Sequence, residues 1–150
     1  MLKKIDARDL TKEAPRSSHV RLGGFVILAR AIDKCRATIA GKNGEYNFDC
    51  ALDKTLFRFK GVSGTEVKRF IKTGAEDKEI VVWLNKNGMS KTDLEIKSWA
   101  DEAEADNYST SDDLEDKVWL EAQNKRLGLP KDGTVFDYLD VDDKTSFKNV

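Results

Sequence analysis

The segment from residue 24 to 40 carries the strongest pattern in this 150-residue chain, an apolar stripe with the spacing of an α-helix. The stripe consists of Phe25, Leu28, Ala29, Ile32, Cys35 and Ile39. Val26, Ile27 and Ala31 extend it around most of the surface, and Gly41 follows as a helix stop. A helix that is apolar on most sides packs on several sides, so we expect a central helix at roughly residues 24–40.

Helix signals also dominate the rest of the chain. Ser63 with Glu66 and Thr92 with Glu95 have the spacing of capping boxes, and Thr134 can cap a last short helix. Glycines then mark helix ends, at positions 74, 88 and 128. With no repeat and no long linker, we predict an all-α fold, a single compact domain over residues 1–150 with six or seven short helices around the central one.

Composition limits the classes of function. Charged residues make up 35% of the chain, and neither a signal peptide nor a membrane-length apolar run is evident, so we expect a cytosolic protein without membrane contact. Cys35 and Cys50 are too few for a disulfide framework and are interpreted as small buried side chains. His19 stands far from both cysteines, so no metal is predicted, and no motif indicates a cofactor.

The two halves of the chain differ in charge. Residues 1–75 hold 16 Lys and Arg against 8 Asp and Glu, whereas residues 76–150 hold 10 against 19. A basic half can attract an anionic partner. Alternatively, the halves neutralise each other within the fold.

The candidate site is the segment PRSSHVRLGG, in front of the central helix. Arg16, His19 and Arg21 place positive charge beside Gly23 and Gly24, which we expect at the helix N-terminus. Helix amides and paired guanidinium groups both favour a phosphate or carboxylate. This pattern predicts an anion site on the two glycine amides, closed by the two arginines.

A structural interpretation of the same segment remains open. The glycines would then permit close helix packing, while the arginines pair with Asp6, Asp9 or carboxylates of the acidic half. The LGG sequence also lacks the Lys-Ser/Thr ending of a phosphate-binding loop.

Four aromatic or charged side chains carry further expectations. Arg36 falls within the apolar stripe and must be paired, with Glu45, Asp49 and Asp53 as the nearest acidic residues that follow it. The tryptophans sit among apolar neighbours at helical spacing, so all three are predicted to be core anchors: Trp83, Trp99 and Trp119.

Several segments resemble a bacterial family described as domain of unknown function 5069. They are DLTKEAPRSSHVRLGG, ARAIDKCRATIAGKNGEY, LDKTLFRFKGV and VFDYLDVDDKTSF. The resemblance is dense up to about Val62 and does not include Asp101 to Asp116. It implies a compact, mostly helical, cytosolic bacterial domain and assigns no activity, cofactor or catalytic residue.

Three functions follow from these features. The first is a non-enzymatic module that binds a protein partner or a small anionic ligand through the basic N-terminal surface. The alternative is an enzyme for a phosphorylated or carboxylated metabolite, with Arg16 and Arg21 as clamps and Cys35, Cys50, Tyr46 or His19 as the chemical group. Nucleic-acid binding is third, since no known motif supports it. A pocket that unites Arg21, Arg30 and Tyr46 would favour a small ligand.

Overall fold

The computed structural model describes residues 4–148, so the predicted domain limits at 1 and 150 lie outside the described residues. This part of the chain forms seven helices and no strand beyond one isolated bridge, which confirms the all-α prediction. In chain order the helices are α1 (Leu28–Ile39), α2 (Ala51–Lys60), α3 (Gly64–Ile71), α4 (Asp77–Asn87), α5 (Asp93–Ala105), α6 (Leu114–Arg126) and α7 (Val135–Ser146). None of those seven has the length and apolar character needed to cross a membrane.

Helix α1 is the central helix, as its pattern predicts. It contacts α2 and α3, and its apolar side chains from Leu28 to Ala37 are almost fully buried, while Ile39 at its end is partly buried. The core around it joins residues from α2, α3, α4, α5 and α7. The packing around α1 also buries three of its charged side chains, Arg30, Asp33 and Lys34.

The start of α1 differs from the prediction. The helix begins at Leu28, not near Gly24, because the preceding residues form a tight turn. Gly23 and Gly24 both have positive φ, and the backbones of Leu22 and Phe25 exchange two hydrogen bonds across them. Positive φ at both central residues is what a type I′ turn requires. Ile27 then adopts φ 74° before the helix starts.

The predicted caps of the later helices are present. Ser63 accepts the amide of Glu66, Thr134 accepts the amide of Asp137, and Thr92 forms a complete capping box with Glu95. These side chains take up amides that the first helical turn leaves without partners. Local sequence therefore fixes the starts of α3, α5 and α7.

A second, smaller apolar cluster joins α6 to α7. Its buried members are Leu120, Val135 and Tyr138. Trp83 and Trp99 pack against the main core as predicted, whereas Trp119 is 46% exposed. The prediction for Trp119 is wrong because α6 packs mainly on α7 and leaves this side chain at the edge of a cleft between the two clusters.

Candidate functional site: a cleft beside Tyr46

The predicted site residues do not come together in one place. Arg16 binds Asp33 and Asp77, and Arg21 binds Asp101 and Glu104. The pairs with Asp77, Asp101 and Glu104 join the basic half of the chain to the acidic half. The pair of Arg16 and Asp33 lies within the basic half. The structure thus shows the mutual neutralisation that the charge pattern allowed.

His19 belongs to a separate surface cluster. Its Nε2 lies 3.0 Å from Oδ1 of Asp137, and its ring meets Phe136 edge-on. Asp140 also lies close, with Oδ2 3.7 Å from the same nitrogen. The carboxylates of α7 therefore occupy the neighbourhood of the histidine that the sequence placed beside a bound anion.

Arg36 also has partners other than the predicted ones. Its guanidinium donates to Oδ1 of Asp77 and to the carbonyl of Ala75. The prediction of Glu45, Asp49 or Asp53 was wrong because α1 ends beside the start of α4. Tertiary packing brings that helix closer than the loop that follows α1 in sequence.

The double glycine serves the turn in front of α1. A Cβ atom at position 23 would overlap Cγ1 of Val81, so the turn packs directly on α4. Since the helix begins at Leu28, the amides of Gly23 and Gly24 are not those of its first turn. The physical basis of the predicted anion site on these amides is therefore absent.

We expect Gly23→Ala to lower the free energy of unfolding more than Gly128→Ala does. Both positions have positive φ, but a Cβ at Gly128 meets nothing within 4 Å. The left-handed conformation costs each alanine about 1–2 kcal/mol, and the overlap with Val81 adds about 1–3 kcal/mol at position 23 alone. Chemical denaturation of the two variants measures the difference, and equal losses would contradict the packing role.

Arg30 and Tyr46 do meet, in a cleft that we call the Tyr46 cleft. It encloses about 600 Å³ between the start of α1, the 45–47 loop with α2, and the α6–α7 pair. Its lining includes Ile27, Arg30, Lys34, Tyr46, Cys50, Arg58, Tyr108, Trp119, Phe136 and Tyr138. Arg21 does not line it. The volume and the mixture of aromatic and charged groups are typical of a small-molecule site.

One wall of the Tyr46 cleft is held by Asp143 of α7. Its two carboxylate oxygens accept hydrogen bonds from Arg30, at 2.7 and 3.2 Å, and Oδ1 also accepts the Tyr46 hydroxyl at 2.8 Å. The guanidinium carbon of Arg30 lies 5.5 Å from the centre of the Tyr46 ring. The three side chains are thereby fixed in position.

These contacts also set protonation. Burial disfavours the charged form of Arg30, but the hydrogen bonds and charge of Asp143 outweigh it and raise the pKa of the guanidinium. Burial and the hydrogen bond to Asp143 raise the pKa of Tyr46. Arg30 is therefore a permanent cation in the cleft, and Tyr46 a neutral phenol.

The floor of the Tyr46 cleft holds a second charged group. Lys34 lies one helical turn after Arg30, on the same face of α1. Its Nζ is 2.9 Å from Oδ2 of Asp53 and 3.2 Å from Sγ of Cys50. The Lys34 side chain is 4% exposed and that of Asp53 is fully buried.

The cysteines differ in environment. Cys35 is buried, as predicted, and burial raises the pKa of its thiol to about 12. Cys50 is half-buried and lines the cleft, so its interpretation as a buried apolar side chain is wrong. The residue is the N-cap of α2.

The model of the family described as domain of unknown function DUF5069 matches residues 12–145. The chain belongs to this family. The match covers the elements that build the Tyr46 cleft, from α1 to α7, so the cleft lies within the DUF5069 domain. No curated protein matches the chain.

Sequence reasoning missed Lys34 and Arg58, which line the Tyr46 cleft of this DUF5069 domain, and Asp143, which binds Arg30 and Tyr46 there. One signal was present: Arg30 and Lys34 are four residues apart inside the most apolar helix, where burial of charge is costly without partners. Asp143 comes from the distant α7, and nothing in the local sequence pairs it with Arg30.

Proposed function

We propose that this protein binds a small organic anion in the Tyr46 cleft. The single observation that carries the proposal is the presence of two nearly buried cations, Arg30 and Lys34, in the lining of an open cleft with aromatic walls. Cations are retained in a protein interior only with partners, and such groups in a cleft are typical of binding or catalytic sites.

The internal carboxylates leave capacity for a ligand. Asp143 accepts from the two terminal nitrogens of Arg30, and the ammonium of Lys34 has three N–H donors for its two partners, Asp53 and Cys50. Asp143 and Asp53 thus balance the charges of Arg30 and Lys34 and hold the two cations in place. An incoming anion would add a further partner to groups that are already oriented.

Arg58 supplies an exposed cation at the same cleft. It is exposed, lines the cleft from α2, and has no ion-pair partner among residues 4–148. An arginine fork can bind a carboxylate or phosphate through two hydrogen bonds. We therefore assign Arg58 the role of clamp that the sequence gave to Arg16 and Arg21.

The remaining walls indicate the body of the ligand. Tyr108, Trp119 and Tyr138 present aromatic surface to the cleft. The rings of Trp119 and Tyr138 meet edge-on, with their centroids 5.2 Å apart. Asp106 and Asp116 also line the cleft, and their charges act on Tyr108. The anionic group would therefore face Arg30, Lys34 and Arg58, with an apolar or aromatic body against the α6–α7 side.

Titration with phenyl phosphate and inorganic phosphate tests the proposal. We expect amide resonances of Ile27, Cys50 and Val135 to shift with phenyl phosphate at lower concentration than with inorganic phosphate, because only the former has an aromatic body. Arg58→Gln should weaken phenyl phosphate binding about tenfold, the usual value of one charged hydrogen-bonded contact.

The matched control is Arg69→Gln on α3. Arg69 is also exposed and without an ion-pair partner among the described residues, but it does not line the cleft. Equal weakening by both substitutions would mean that net charge alone attracts the anion. Unchanged resonances around the cleft at millimolar phenyl phosphate would contradict the proposed function.

A further inference from the structure

Cys50 is the chemically accessible thiol of the Tyr46 cleft. It is half-buried at the cleft wall, whereas the other cysteine, Cys35, is sealed in the core. It is the N-cap residue of α2, a ten-residue helix, and its side chain makes no capping hydrogen bond. Helix amides favour negative charge nearby.

Lys34 brings an ammonium group, paired with Asp53, to the same sulfur. Its Nζ donates to Sγ of Cys50 across 3.2 Å, and Oδ2 of Asp53 lies 2.9 Å from the same nitrogen. Oδ2 of Asp53 also accepts the amide of Asp49, which fixes the carboxylate. A thiolate beside an ammonium group and a helix N-terminus is the arrangement of reactive cysteines, because the thiolate is the nucleophile.

We propose that Cys50 is a nucleophilic thiol that forms a covalent bond with an electrophilic carbon of the anion bound in the Tyr46 cleft. Lys34 is a positioning residue that stabilises the thiolate. The inference rests on the proposed function for the choice of ligand: an organic anion whose carbon carries a leaving group.

The step balances without any co-reactant. The thiol proton leaves to solvent, and the sulfur electron pair forms the new S–C bond. The bond from that carbon to the leaving group breaks, and the leaving group departs with its electron pair. Arg30 and Arg58 hold the anionic end of the ligand during this exchange.

Iodoacetamide and iodoacetate form a matched pair of probes, because they transfer a similar group with iodide as leaving group and differ in charge. The rate of labelling at Cys50 is followed by peptide mass spectrometry at neutral pH, with glutathione as the reference thiol. We expect Cys50 to react with iodoacetamide about tenfold faster than glutathione does. The ratio of the iodoacetate rate to the iodoacetamide rate should be several times higher at Cys50 than at glutathione.

The variant Lys34→Met/Asp53→Asn tests the positioning role without leaving one buried charge alone. Its Cys50 should react about tenfold more slowly with iodoacetamide. The control Lys54→Met/Asp49→Asn neutralises an ion pair at the start of α2 whose side chains are 47% and 34% exposed, and it should retain the fast rate. The single variant Lys34→Arg keeps the cation, so its Cys50 should react with iodoacetamide at nearly the wild-type rate. Labelling of the buried Cys35 reports any variant that opens or unfolds.

The outcomes separate the two proposals. If wild-type Cys50 reacts no faster than glutathione, or the neutral pair variant is as fast as wild type, the nucleophile is refuted whatever ligand binds. If Cys50 is fast but shows no preference for iodoacetate, the thiol is reactive but the bound anion is not its covalent partner. The inference as stated is then overturned, whereas the titration with phenyl phosphate decides the proposed function independently.

Discussion

Asp143→Ala is expected to lower the free energy of unfolding by about 3–5 kcal/mol, because it leaves the buried guanidinium of Arg30 without its partner. Arg30 is 4% exposed, and its two terminal nitrogens both donate to this carboxylate. The Tyr46 hydroxyl loses its acceptor in the same variant. For a chain of this size, the loss corresponds to a fall in Tm of roughly 6–20 °C, measured by circular dichroism.

The neighbouring residue provides the control. Asp142 pairs with Arg126 at the surface, with side chains 37% and 52% exposed, and exposed pairs contribute about 0–1 kcal/mol. Asp142→Ala should therefore have little effect. The double variant Arg30→Met/Asp143→Leu removes both charges and should recover most of the stability. If the two single variants unfold alike, the pair of Arg30 and Asp143 does not hold the cleft wall.

Arg16→Ala is expected to cost about 3 kcal/mol, whereas Arg21→Ala should cost less than about 1 kcal/mol. Arg16 donates to both oxygens of Asp33, whose side chain is 6% exposed, and to Asp77. Arg21 is bound to Asp101 and Glu104 at the surface. The sequence assigns both arginines to one anion clamp, which predicts similar effects of the two substitutions. Urea denaturation of the two variants measures the difference, and equal losses of unfolding free energy would contradict the unequal structural pairs.

Acid should reduce the effect of Arg16→Ala. Burial raises the pKa of Asp77, but hydrogen bonds and charges from Arg16 and Arg36 outweigh it and hold the pKa below the ordinary value of 3.8. The stabilisation that this carboxylate provides is complete above its unfolded pKa and is lost as the pH falls through the lowered one. The gap between wild type and Arg16→Ala should therefore narrow below about pH 4. A gap that widens in acid would contradict the pairing with Asp77.

Local sequence determined the helical architecture. The apolar stripe identified α1 as the central helix, and the caps at Ser63, Thr92 and Thr134 marked helix starts correctly, because capping bonds join residues only a few positions apart. The apolar periodicity placed the predicted start of the central helix near residue 24, whereas Gly23 and Gly24 form a turn and the helix begins at Leu28. Apolar spacing does not report φ, and the two glycines adopt conformations that a helix excludes.

Tertiary structure decided the candidate site. The sequence only allowed the condition that a pocket uniting Arg21, Arg30 and Tyr46 would favour a small ligand. Arg30 and Tyr46 share the partner Asp143, which lies about a hundred positions away in the chain. The same holds for Arg36 and Asp77, which the packing of α1 against the start of α4 brings together. Charge is long-ranged and carries no sequence period, so composition predicted that opposite charges would meet but not which ones. The depth of Lys34 and the exposure of Cys50 follow from how α2, α6 and α7 pack around α1, and only that packing reveals the cleft they share.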